Sequence, residues 1–414
     1  MVEHYCLFCK AKLTHLFADL GTCPPSNAFL TPEQCDGPEL FHPLQAWVCS
    51  QCLLVQGPHF KRPQDIFTHD YAYFSSCSHS WVEHARQYVH AVTERFKLGK
   101  KSLIVEIGSN DGYLLQHAVT LGIPCLGIDP SAGTAAVAQT KGIPTITDFF
   151  TTRLAGRLLD RGTRADLLCG INVFAHVPDI NDFVAAMTML LKPEGVMTME
   201  FPHLLRLVED VQFDTIYHEH YFYYTLQCVK KIVEAHDMRV FDVEELPTHG
   251  GSLRIYACAQ GAAHKPTGKV ETVLAREDAN GMYSLNFYLH FQDKIDAVRF
   301  GLMRFLMQAR EEGKVVAGYG AAAKGNTLIN YFGIRKDLLP YVADASPRKQ
   351  GHFLPGSRIP VVAEQVIRDT KPDYVLILPW NLKEEISAQL EYIRDWGGKF
   401  VAAIPKLKIW SPHL

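Results

Sequence analysis

The chain has no surplus of charge of either sign: across 414 residues, 41 Lys and Arg face 44 Asp and Glu, a formal net charge of −3. Without a basic excess to neutralise a phosphate backbone, general nucleic-acid binding is excluded as a leading function. No apolar run approaches the length needed to span a bilayer, and Met1-Val2-Glu3-His4-Tyr5-Cys6 has no basic-then-apolar signal pattern. Repeats at solenoid spacing, low-complexity tracts and coiled-coil heptads are missing too. These absences predict a cytoplasmic protein with no membrane or nucleic-acid partner and no obligate protein partner.

What is present is a globular composition, 47% hydrophobic and 21% charged, in a chain too long for one ordinary core. Eleven cysteines, an odd number, are spread unevenly. Outside two close pairs they sit mostly in apolar contexts and read as small buried hydrophobes. Residues 1–60 are rich in Cys, Pro and short turns, and residues 77–98 read as a helix. From there apolar strands alternate with helical stretches: Leu103–Ile107, Cys125–Ile128, Ala165–Val173 and Gly195–Phe201. That alternation is the signature of a parallel α/β sheet, which Arg239–Glu244 and Ser252–Ala257 would close at one edge. One long helical stretch, 268–312, leads to a second α/β unit with strands Val315–Tyr319, Tyr341–Ala343, Tyr374–Leu378 and Phe400–Ile404. The expected domains are 1–75, 76–265 and 266–414: a zinc-ribbon-like module and two Rossmann-like units.

Cys6-x-x-Cys9 and Cys49-x-x-Cys52 have the knuckle spacing of a four-thiolate zinc site. A redox dithiol would normally be single and sit at a strand-to-helix junction. Four protein ligands close the coordination sphere, so the predicted Zn2+ is structural and folds a segment too small to hold a core alone.

Glu106-Ile107-Gly108-Ser109-Asn110-Asp111-Gly112 forms a strand, a glycine turn and a helix start, and Asp129 follows 21 residues after Gly108 at the next strand end. An acid there can accept both hydroxyls of a ribose. The turn lacks GxGxxG spacing, and Glu106 and Asp111 are hostile to phosphate but suited to an ammonium and a sulfonium. S-adenosylmethionine is therefore favoured over a dinucleotide as the ligand of a class I methyltransferase sheet. Asn172, at the fourth strand end, and Asp148 and Phe149, flanking the adenine, join the expected cofactor residues.

Tyr217-His218-Glu219-His220 is a dense polar run that is costly to bury without partners. Histidine is the natural proton acceptor near neutral pH, whereas a metalloprotease would need HExxH. A hydrogen-bonded helix start with surface histidines is the purely structural alternative. His176 is a second histidine at a strand end. The second glycine turn, Gly318-Tyr319-Gly320-Ala321-Ala322-Ala323-Lys324-Gly325-Asn326, fits G-x-G-x-x-A, with Asp344 at the next strand end. It suits either a nicotinamide dinucleotide or the pyrophosphate of a nucleotide-linked sugar.

Taken together, these motifs resemble the nucleotide-sugar C-methyltransferases of deoxysugar biosynthesis, in particular the C-3 methyltransferase of the tetronitrose pathway. The resemblance covers essentially the whole chain. Besides the four cysteines it rests on EIGSNDG (106–112), NVFAHVPD (172–179), YHEH (217–220), GGSLR (250–254), GYGAAAKGN (318–326) and DASPRKQGHFLPGSRIP (344–360). It implies a C-terminal unit that holds a nucleotide sugar rather than NAD, and a dTDP-linked 4-keto-deoxysugar as acceptor. The implied catalytic residues are His220 as base, Glu219 to orient the sugar, and Tyr217, His176 or Tyr71 as donors to an enolate oxygen. Tyr73, Tyr224, Arg254, Gly320, Ala321, Lys324, Asn326 and Asp344 are implied to contact the substrate. Tyr221-Phe222-Tyr223-Tyr224 is richer in aromatics than the family pattern. Competing readings are an NAD-dependent sugar-nucleotide oxidoreductase, a nucleic-acid methyltransferase and a non-catalytic sugar-nucleotide binder.

Overall fold

The strand-like runs form two separate, mainly parallel sheets. The structure is a computed structural model that describes residues 3–58 and 74–412. Tyr71 and Tyr73 lie outside the described residues. By contact the chain divides into two units that are interleaved along the sequence. Unit one takes Met1–Leu13, Cys49–Leu204 and Tyr221–Tyr283; unit two takes Thr14–Val48, Leu205–His220 and Ser284–Leu414. The first 75 residues are thus divided between the two units.

In chain order the strands begin with a hairpin of unit two, β1 (His15–Cys23) and β2 (His42–Val48), followed by β3 (Val55–Gln56) of unit one. The main sheet of unit one contains β4 (Ile104–Ile107), β5 (Cys125–Ile128), β6 (Thr145–Ile146), β7 (Ala165–Ile171) and β8 (Leu191–Pro202). Beyond β9 (Phe222–Tyr223), which pairs with β3, the sheet is completed by β10 (Met238–Leu246) and β11 (Ser252–Ala259). Its order is β10-β11-β8-β7-β4-β5-β6, with β4 to β8 parallel and the last two strands antiparallel. The sequence expectation of a closing pair at one edge therefore holds. All four residues of β4 are buried, as expected for a central parallel strand covered on both faces. Helix His79–Phe96 turns Ala85, Tyr88, Val89 and Val92 inward, a spacing of one helical face. Ser78 caps its start by accepting the Trp81 N–H, and Lys97 in the left-handed region (φ +51°) ends it.

Unit two holds β12 (Val316–Tyr319), β13 (Val342–Ala343), β14 (Val361–Val362), β15 (Tyr374–Ile377), β16 (Lys399–Ala402) and β17 (Lys408–Trp410), ordered β14-β13-β12-β15-β16-β17. All are parallel except β17. The hairpin is fastened here by Phe17, whose ring stacks on Phe291 at 4.5 Å, and by the Asp19 N–H bonded to Gln292. The single helical stretch expected over 268–312 is instead two helices, Gly268–Ala279 and Phe291–Glu311. Asn280 and Gly281 (φ +80°) turn their amides back on the Arg276 and Asp278 carbonyls and stop the first helix.

Candidate active site and metal centre

The four cysteines meet in unit one. All four sulfurs lie within 4.8 Å of one another, with Cys6 to Cys52 at 3.6 Å and Cys9 to Cys49 at 3.5 Å. A tetrahedron of ~2.3 Å zinc–sulfur bonds has edges of about 3.8 Å, so the cluster fits Zn2+. Both knuckles have the same form. The residue after each pair, Lys10 and Leu53, sits at φ +64°, which turns amides toward sulfur. The Cys9 N–H points at Cys6 Sγ (3.5 Å), the Gln51 N–H at Cys49 Sγ (3.4 Å), and the Gln56 amide donates to Cys6 Sγ at 3.2 Å. Such donors balance thiolate charge around a closed, structural ion.

The first glycine turn joins β4 to the next helix. Gly108 is at φ +69°, and a Cβ on it would meet Val173 at 3.0 Å. Glu106, Asp111 and Asp129 are all buried here. Burial, reinforced by the charges of Asp129 and Asp111, holds the Glu106 carboxyl well above the usual carboxylate range. Burial also raises Asp129, although the Ser131 and Asn110 amides pull it back. Asp129 Oδ1 accepts from the Ser131 N–H and the Thr134 hydroxyl, and Oδ2 accepts the Asn110 N–H at 2.8 Å. That oxygen keeps lone-pair capacity for a ribose hydroxyl. Ser76 donates to Asp111 Oδ2, Lys141 approaches at 3.6 Å, and Asp111 Oδ1 is buried with no hydrogen-bond partner. Asn172 (φ +55°) likewise carries a buried Oδ1 with none. Three buried carboxylates beside one lysine are a poor seat for phosphate and a good one for a ligand with two positive groups. Asp148 is paired with Arg157, and Phe149 beside it is half-buried.

Tyr217, Glu219 and His220 belong to unit two. His220 Nδ1 lies 2.8 Å from the Thr215 carbonyl, and its ring sits 3.9 Å from that of Tyr217. A carbonyl can only accept, so neutral His220 carries its proton on Nδ1, and Nε2 is its basic nitrogen. Glu219 Oε1 accepts from the Asn27 amide at 2.8 Å. Asn27 itself is anchored next door: Asn326 donates to the Ser26 carbonyl at 3.3 Å, and Ser26 Oγ meets Thr327 Oγ1 at 3.4 Å. Sequence reasoning missed Asn27, because 192 residues separate it from Glu219 and no local pattern marks it.

Several expected substrate residues have partners inside the fold. Lys324 is half-buried, donates to Asn381 at 3.2 Å, and stands 4.8 Å over the Trp380 ring. Asp344 Oδ1 accepts the Ser346 amide and Oδ2 the Ala321 amide of the glycine turn, at 2.8 Å each, the arrangement that Asp129 has in the first turn. Gly320, at φ +86°, is needed because a Cβ there would meet Pro379 at 2.5 Å. In unit one, Tyr224 is 1% exposed and donates to the Phe174 carbonyl at 3.0 Å, which makes it core and not a sugar contact. Arg254 is tied to Glu200 (2.7 Å) and Glu244 (3.1 Å) over the Tyr88 ring. His176 lies in the 3-10 turn Phe174–His176 and is half-buried.

Three family models match in succession: a zinc-binding domain over residues 6–67, a methyltransferase domain over 81–243, and a C-methyltransferase C-terminal domain over 247–405. The protein is accordingly an S-adenosylmethionine-dependent methyltransferase with a zinc-binding N-terminal segment. A stretch of 95 residues is similar to the ubiquinone biosynthesis O-methyltransferase of Bartonella quintana, 32% identical over 23% of this chain and 38% of that one. Magnesium protoporphyrin IX methyltransferase from Synechocystis PCC 6803, solved with bound SAM, aligns over 43% of this chain and 80% of its own at 16% identity and a TM-score of 0.33. No helix among the described residues is long and apolar enough to cross a membrane. The likeness to C-methyltransferase NovU of Streptomyces niveus is of another extent: 34% identity over 391 residues, 94% of this chain and 93% of the relative. On that full-length match, this chain belongs to the C-methyltransferase family.

Proposed function

We propose that the enzyme transfers a methyl group to C-3 of a dTDP-linked 4-keto-deoxysugar through an enolate. The observation that carries this reading is His220 held by its Nδ1 proton on the Thr215 carbonyl, beside Tyr217 and Glu219. A saturated carbon is not a nucleophile, and a ketone next to it makes its proton removable. His220 Nε2 takes the C-3 proton, and the C–H electron pair passes into the C-3–C-4 bond and onto the ketone oxygen. Tyr217 or His176 donates a hydrogen bond to that oxygen as charge develops there, with Tyr71 a further candidate. Glu219, oriented by Asn27, accepts from a sugar hydroxyl. S-adenosylmethionine, when bound, supplies a methyl carbon made electrophilic by its sulfonium. The dTDP part of the acceptor is supported by the family resemblance and is assigned to the segment 266–414, after the zinc-binding segment 1–75 and the methyltransferase segment 76–265. A cytoplasmic setting belongs to the same reading, since the four thiolates persist where thiols stay reduced.

The methyl donor is assigned to Glu106, Gly108, Asn110, Asp111, Asp129 and Asn172, with Asp148 and Phe149 at the adenine. A pH dependence follows. In the free enzyme burial and neighbouring charges hold the Glu106 proton on; a bound cation favours the carboxylate and expels that proton. Donor affinity should therefore fall as pH falls through the raised Glu106 value, by at most about tenfold per pH unit for one linked proton. Calorimetry in two buffers of different ionisation enthalpy should report proton release; a heat independent of buffer would contradict the linkage.

Asn27→Ala is expected to raise the KM for the sugar about tenfold by freeing Glu219, with donor affinity unchanged. An unaltered KM would detach Asn27 from the substrate. The function itself is tested with the acceptor whose C-4 ketone has been reduced to a hydroxyl. Such a sugar should bind competitively yet gain no methyl group; its methylation would exclude an enolate.

A further inference from the structure

Immediately before the Tyr217–His220 run lies a 3-10 turn, Phe213–Thr215, whose residues are all buried. Asp214, within it, is wholly buried, an expensive place for a carboxylate. Its Oδ2 accepts the Trp380 indole N–H at 2.8 Å, a contact that spans 166 residues of sequence. Lys324, the one cation acting on it from the neighbouring helix Ala323–Phe332, lies 4.8 Å over the same Trp380 ring. Phe213 stacks on Phe332 at 5.4 Å, and Thr327 of that helix donates to the Ile216 carbonyl at 3.3 Å. Thr215 closes the turn by donating its hydroxyl to the Gln212 carbonyl at 2.8 Å. What the turn presents to the outside is the Thr215 carbonyl, and that carbonyl is the partner of His220 Nδ1.

We propose that Asp214 is a positioning residue: by fastening the 213–215 turn to Trp380, it sets the carbonyl that receives the His220 Nδ1 proton and so keeps Nε2 as the base. The inference rests on the reading of His220 as the base, and gives it a support in residues that touch neither reactant. A rigid turn costs the enzyme nothing at the moment of proton transfer. A loosened one lets the imidazole tilt or take the other tautomer, and displacements on the order of 1 Å at a catalytic group cost about a hundredfold in rate. The charge of Asp214 is not itself needed for this, because an uncharged acceptor at the same place can hold the indole N–H.

The test uses the full chain with dTDP-4-keto-6-deoxyglucose, following deuterium uptake at C-3 in heavy water separately from methyl transfer. Asp214→Ala is expected to slow both about thirtyfold, with sugar KM within threefold and donor affinity unchanged. Asp214→Asn, which keeps an acceptor for Trp380, should recover most of the rate. Trp380→Phe keeps the ring without its donor and should repeat the alanine result, which guards against an Asp214→Ala chain that fails to fold. Wild-type exchange in both Asp214→Ala and Trp380→Phe, alongside its loss in His220→Asn, would overturn the positioning role and leave the base intact. Exchange that survives in His220→Asn would overturn the base and with it this inference. A rise in KM with unchanged kcat would likewise contradict it.

Discussion

Replacing His220 with asparagine is expected to slow methyl transfer about a thousandfold while S-adenosylmethionine affinity stays within twofold of the parent enzyme. Asparagine can still donate to the Thr215 carbonyl and fill much of the imidazole volume, so the turn beneath it is retained. It has no basic nitrogen at the Nε2 position. The donor is assigned to acids of unit one, Glu106, Asp111 and Asp129, whereas His220 belongs to unit two, so the two effects should separate cleanly. Isothermal calorimetry with the donor and a timed methyl-transfer assay give the two numbers. A variant that loses donor binding, or that keeps most of its turnover, would contradict the role given to His220.

Removing the metal should have the second large effect. Coordination at a structural four-thiolate site contributes on the order of 10 kcal/mol to folding the segment that carries it. In residues 3–13 and the 49–56 stretch the backbone bends at Lys10 and Leu53 beside the sulfurs, and without the ion the buried Cys6, Cys49 and Cys52 would become crowded thiols. Chelation, or Cys6→Ser, is expected to lower the melting temperature of unit one by roughly 10 °C or more, if about half of that energy reaches the unit. Metal analysis should return one zinc per chain beforehand. Unchanged melting after verified metal loss would show that the cluster is not structural. Cys258, buried within the sheet and far from this chemistry in sequence, needs no metal and should be indifferent to the chelator.

Much of this was legible in the chain because the signals are local. A strand such as Ile104–Ile107, buried on both faces, must be continuously apolar save for a functional acid, and the turn after it needs residues tolerant of positive φ, which Gly108 and Asn110 supply. Two CxxC knuckles announce a tetrahedral site by spacing alone. The antiparallel pair β10 and β11 carries enough β-branched and aromatic residues to be read without a structure. The two-residue strands β6, β13 and β14 are too short to show any period.

The interleaving of the units was not legible either. Nothing near Tyr217 says that 205–220 packs with residues 284–414, or that 14–48 does so too, because such choices are settled by contacts between distant segments. The same physics hid Asn27, Asp214 and Trp380, each ordinary in its local context and informative only through a partner more than 150 residues away. Lys324 shows the same limit: in a turn with dinucleotide spacing it reads as a phosphate ligand, and nothing local shows that its ammonium lies over the Trp380 ring. There its own pKa is lowered by burial and held up by Asp214, whose carboxyl burial pushes up to about 6 against the pull of that ammonium.

The central claim is that a base-generated carbon nucleophile on a keto sugar accepts the methyl group. Mass spectrometry of dTDP-4-keto-6-deoxyglucose after incubation with enzyme and S-adenosylmethionine in heavy water tests it most directly. The account predicts a product heavier by one methyl group, with fragmentation placing it on C-3, and deuterium uptake at C-3 when the donor is withheld. Methylation on oxygen, or on carbon with no exchange in the absence of donor and none in the recovered substrate, would contradict it.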